Sequence, residues 1–140
     1  MKRSKCAGPR LIHDRDQPPM GGQHELQSQM AKVDLPEAFA PVFQDGIFFE
    51  RTGDILTDTF RAMILRVMGY RTDVTQFVPI EHTAKNLMIR SVNTSEPGEA
   101  RWVEQYRMLK EFWGVTPYLE KLLKEDLQEV LRAKDTVHDN

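Results

Sequence analysis

The sequence predicts an α+β fold in which helices pack on an antiparallel β-hairpin, and three observations predict it. Leu56, Phe60, Met63, Ile64 and Val67 form one apolar stripe at helical spacing that ends at Gly69. Directly after Gly69 the period drops to two, because Tyr70, Thr72, Val74 and Val78 alternate with Arg71, Asp73 and Thr75. Helical spacing then returns, first through Trp102, Val103, Tyr106, Leu109 and Trp113, and again through Leu119, Leu122, Leu123, Leu127, Val130 and Leu131.

Taken in order, residues 1–22 hold no sustained period, carry four basic residues among the first ten and end in Pro and Gly pairs. They read as a poorly ordered arm, whose basic residues would either touch nucleic acid or remain solvated. From Gln23 a short helix is expected, with Leu26 and Met30 one turn apart and Glu25 where the helix dipole favours an acid. Pro36 suits the first turn of a second short helix through Phe39, Val42 and Phe43, with Gly46 closing it. The long helix should start between Phe48 and Asp54 and leave Asp58, Arg61 and Arg66 facing water. Pro79 stops the first strand, residues 80–85 form a polar connection, and Asn86 to Val92 is the second strand. So short a connection makes the pair antiparallel, since a parallel crossover needs about a dozen residues. Asn93 to Gly98 is loop chemistry and marks the one internal boundary, separating residues 23–93 from a helical pair over 99–134. In that pair Gly114 ends the first helix, and Thr116 with Pro117 reads as the N-cap and first turn of the second.

Composition narrows the function classes. The 140 residues are 40% hydrophobic and 29% charged, which is ordinary globular usage for one domain rather than a disordered chain. No apolar run approaches the roughly 18 residues of a membrane span, so the expected setting is cytoplasmic with no membrane partner. Cys6 is the only cysteine, which leaves no intrachain disulfide and no thiolate metal cluster, and no metal site is expected. A net charge of -2 argues against a whole-surface polyanion binder and leaves nucleic-acid binding an open question.

Two constellations could carry chemistry. Gln23, His24 and Glu25 follow Gly21-Gly22, so a flexible turn delivers three hydrogen-bonding side chains to the mouth of a helix; the same residues would also serve simply to start it. In Glu81-His82-Thr83-Ala84-Lys85-Asn86 an acid, an imidazole and a carboxamide crowd into the hairpin connection, where a histidine beside a carboxylate suits proton transfer. Such connections are also polar for solubility alone, and adjacent residues of an extended chain point to opposite sides. The aromatics Tyr106, Phe112, Trp113 and Tyr118 read as helix packing rather than base stacking, for want of a basic groove. There is no Gly-rich phosphate loop in the chain.

The segments QHELQSQM, FAPVFQDGIFFERTGDILTDTFRAMILRVMGYRTDVTQFVPIEHTAKNLMIR and EQYRMLKEFWGVTPYLEKLL together resemble the end of a bacterial methyltransferase family. That family carries a class I S-adenosylmethionine-dependent domain related to the eukaryotic ribosomal RNA adenine dimethylase-like proteins. The resemblance runs over about residues 21 to 123. The family's Pro-Cys-Cys-Gln-His-Glu-Leu-like motif is met here by Met20-Gly21-Gly22-Gln23-His24-Glu25-Leu26, without the cysteines, and its Glu-His-Thr-Pro-Lys-Asn by residues 81–86 with Ala84 for proline. It implies that the chain is the C-terminal portion of a class I α/β fold, whose sheet ends in an antiparallel hairpin after a long helix. It places Glu81, His82 and Asn86, with Gln23 and His24, as candidates for the cofactor or substrate pocket. The family's cofactor is S-adenosyl-L-methionine, held by a glycine-rich turn after one strand and an acid after the next. Neither is found, and LIHDRDQPP stands where a strand is expected before Gly21. The resulting expectation is a methyltransferase fragment without its cofactor-binding half, inactive alone, binding no S-adenosylmethionine by itself and completed by an N-terminal half or another protein. The alternative is a small interaction module without catalysis.

Overall fold

The computed structural model describes residues 23–76 and 87–135. The elements run α1 (Gln23–Met30), a 3-10 turn (Glu37–Phe39), α2 (Ala40–Phe43), α3 (Gly46–Val67), β1 (Tyr70–Gln76), β2 (Leu87–Asn93), α4 (Ala100–Trp113), α5 (Tyr118–Leu122) and α6 (Lys124–Asp135). This is the α+β arrangement expected, with β1 and β2 antiparallel in a two-stranded sheet.

The long helix α3 is the axis of the core. Its stripe of Leu56, Phe60, Met63, Ile64 and Val67 is buried as the spacing requires, joined by Leu26 and Met30 of α1, Val103, Tyr106 and Trp113 of α4, Val115, and Leu127 of α6. Beside this core Phe39, Phe43 and Phe49 form an aromatic ladder with Trp113, in which Phe39 meets the indole edge-on at 5.7 Å. Such tilted pairs add about 0.5–1.5 kcal/mol each beyond their buried area.

The α3 start differs from expectation. Gly46 opens α3 instead of closing α2, with extended Asp45 before it, and the backbone N–H groups of Phe48 and Phe49 both donate to the Asp45 carbonyl. The glycine has open space around it, so it tolerates either role, and Phe49 packing on Phe43 decides in favour of the longer helix. Arg66 also departs from the expected solvent-facing row. It is half-buried and donates through Nη2 to the Thr72 carbonyl, while Arg61 pairs with Asp58 at 3.0 Å.

At the end of α3 the chain reverses through Gly69, whose φ of +87° is a conformation that L side chains rarely adopt. The Gly69 carbonyl accepts from the backbone N–H of Thr94 and of Ser95, and Gly98 donates back to the Val67 carbonyl at 2.7 Å. These bonds clasp the two ends of the hairpin onto α3. Seven residues pair across it, from Tyr70 with Asn93 to Gln76 with Leu87. Alternation puts Tyr70, Thr72, Val74, Ile89 and Ser91 on one face and Arg71, Asp73, Thr75, Met88, Arg90 and Val92 on the other. The first strand, expected to run through Val78, is described as far as Gln76, and Val78, Pro79 and Asn86 lie outside the described residues. The arm 1–22 lies outside them too.

Gly114, at φ +59°, caps α4 as expected. The final helix is not one element. Pro117, extended at φ -66° and ψ 149°, takes the N-cap position assigned to Thr116, and Leu123 at φ -100° and ψ 22° separates α5 from α6. Thr116 is displaced from capping because its backbone N–H and carbonyl are both engaged by the side chain of Gln29.

Candidate functional site

Of the residues singled out for chemistry, Gln23 and His24 open α1 and His24 is exposed. Glu81, His82 and Asn86 lie outside the described residues.

A different polar cluster occupies the junction of α1, α4 and α5. Gln29 projects from α1 to the α4–α5 connection, where its Nε2 donates to the Thr116 carbonyl at 3.0 Å and its Oε1 accepts from the Thr116 N–H at 2.6 Å. The amide thus imitates one rung of a β-ladder. One turn earlier on α1, Glu25 pairs with Lys121 of α5. Across the junction Glu120 of α5 accepts from the Tyr106 hydroxyl at 2.5 Å through Oε2 and from Lys110 through Oε1, so both carboxylate oxygens are committed to α4.

Burial pushes the Tyr106 phenol well above its ordinary range, and the hydrogen bond to Glu120 and that carboxylate's charge add to the effect. A phenol held so firmly in its protonated form is a donor, not a base or a nucleophile at neutral pH. The cluster ties α1, α4 and α5 together. Sequence reading missed it for a definable reason. Tyr106 counted only as an apolar member of the α4 stripe, and its partner Glu120 stands on another element, a relation no helical period encodes. Gln29 offered no signal, because its partner is a backbone group 87 positions away.

Among the described residues no group of histidine, cysteine, aspartate and glutamate side chains could hold a metal ion. No helix among them is long and apolar enough to cross a membrane. The glycine turn beside the sheet, Gly69, precedes a strand instead of following one, and the space at its α-carbon is filled by the Ser95 carbonyl, 2.3 Å from where a Cβ would sit. With this geometry in view, the chain matches no family model, no curated protein and no solved structure.

Proposed function

We propose that the chain is the closing segment of an S-adenosylmethionine-dependent methyltransferase, inactive by itself, with the cofactor held by another stretch of polypeptide. The observation that carries this reading is the order of elements from Gly46 to Asn93: a long helix, a glycine reversal, and two antiparallel strands. That order is the one the sequence resemblance implies for the end of a class I sheet. Among the described residues no strand runs into a glycine-rich turn, the feature that would hold the cofactor.

The test is complementation. An N-terminal half bearing the strand, glycine-rich turn and ribose-binding acid, taken from the methyltransferase family that the chain resembles, is co-expressed with it, and S-adenosylmethionine is titrated calorimetrically. Stoichiometric binding by the pair and by neither part alone is the expected result. A folded chain that never associates with such a half sinks the reading.

One observation favours the second reading, a small interaction module. The hairpin face away from α3, with Arg71, Asp73, Thr75, Met88, Arg90 and Val92, is exposed and half charged, whereas a sheet within an α/β fold has both faces covered. A monodisperse, cooperatively folding chain that fails the complementation test is the outcome this second reading expects.

A further inference from the structure

Two arginines from different helices converge on one indole. The guanidinium carbon of Arg66, in the last turn of α3, lies 5.0 Å from the centre of the Trp102 ring, and that of Arg101, at the start of α4, lies 3.9 Å from it. The ring's π-cloud supports both cations. It does not neutralise them. Arg66 spends one donor on Met63 Sδ at 3.8 Å and one on the Thr72 carbonyl at 3.2 Å. Neither arginine has a carboxylate partner among the described residues, although Glu99 and Glu104 flank Arg101 in sequence.

Elsewhere Arg61 pairs with Asp58 within α3, and Lys110 with Glu120, Lys121 with Glu25 and Arg107 with Asp135 pair across helices. At Trp102 two cations, one of them half-buried, reach no carboxylate among the described residues, so both keep guanidinium donors open to an anion from outside. The forked donors of a guanidinium match the oxygens of a carboxylate or a phosphate. A carboxylate's two oxygens satisfy one fork, while the acceptor oxygens of a phosphate can serve two forks at once. Both side chains are also held against a rigid ring, so little freedom remains to be lost on binding.

We propose that Arg66, Arg101 and Trp102 form a binding site for a phosphate group, carried either by a polynucleotide backbone or by a free phosphomonoester. The site stands apart from the methyltransferase reading and does not depend on it.

Trp102 reports on its own site, since an anion bound to the guanidiniums stacked on its ring changes the field at the indole and hence its fluorescence. The full chain is titrated with inorganic phosphate and, separately, with a short single-stranded oligouridine. A saturable change that disappears in Trp102→Phe is expected, and Arg101→Gln should weaken binding about tenfold, the equivalent of one charge-assisted contact. Arg101 is exposed, so this variant keeps the fold, which circular dichroism verifies. Tighter binding of the oligonucleotide, with a salt dependence that falls by about one unit in Arg101→Gln, assigns the phosphate to a polynucleotide. Equal or tighter binding of inorganic phosphate assigns it to a free phosphomonoester. No saturable change with either probe on folded protein overturns the proposal, as does binding that persists at full strength in Arg101→Gln.

Discussion

Helix α3 and the hairpin that follows it are held by different physics. Along α3, Phe60, Ile64 and Val67 are wholly buried, whereas Thr72 is the one buried residue among those described in either strand. The helix is ordered by its side chains, packed against α1, α4 and α6. The hairpin is ordered by its backbone, through the cross-strand ladder and the clasp of Gly69 onto residues 94 and 95. Chemistry at a side chain should therefore matter along α3 and conformation at the backbone should matter at the hairpin.

The most damaging change is expected on the helix. Phe60→Ala removes a fully buried ring that meets Tyr106 edge-on at 6.2 Å, and should cost about 3–5 kcal/mol in chemical denaturation. A cost below about 1 kcal/mol would mean that α3 is not the core the burial implies. Next comes Gly69→Ala, where the added methyl meets the Ser95 carbonyl in a backbone conformation that already disfavours side chains. A loss of about 2 kcal/mol or more is expected, with hydrogen exchange rising in β1 and β2 before it rises in α3. Uniform exchange across both regions would merge them into a single cooperative unit.

Tyr106→Phe should cost about 1 kcal/mol, because Glu120 keeps Lys110 when the phenol is lost. The same residue gives a pH signature. The folded state raises the phenol's pKa above its unfolded value of about 10, so the proton is held more tightly in the native chain. Its contribution is complete below that value and is lost as pH climbs beyond it. Urea titrations of wild-type protein should show stability falling above about pH 10, with a shallower fall in Tyr106→Phe. Equal slopes would remove Tyr106 from the account. The smallest effect belongs to the outer hairpin face. Met88→Thr, opposite Thr75 and 44% exposed, should change stability by no more than about 0.5 kcal/mol. A larger loss would show that this face is covered.

The elements that repeat a pattern were legible in the sequence: the α3 stripe, the switch to period two after Gly69, and the α4 stripe with its glycine cap. What was not legible depends on partners distant in the chain. Asp45 and Gly46 begin a helix rather than end one because Phe49 finds Phe43, and Thr116 yields its capping role because Gln29 occupies its backbone. Arg66 reads as a surface residue by its position on the helical wheel, and only the arrival of β1 and Trp102 encloses it. Of the candidate site, the sequence could point to polar residue types but not to their company. Glu81, His82 and Asn86 lie outside the described residues, and the polar cluster that is described rests on pairs 10 to 96 positions apart.

The Gln29 bonds to Thr116 have a consequence for the order in which the chain assembles. They close a loop of 87 residues, and the entropy lost in closing a loop grows with its length. Local partners, α3 with its hairpin and α4 with α5, meet at lower entropic cost. Helix α1 belongs with these local partners through its packing on α3, so it is the bond to Thr116, and not the docking of α1, that waits for α4 and α5. The same bond then serves as a latch, closing the two ends of the described fold onto each other after their separate halves have formed.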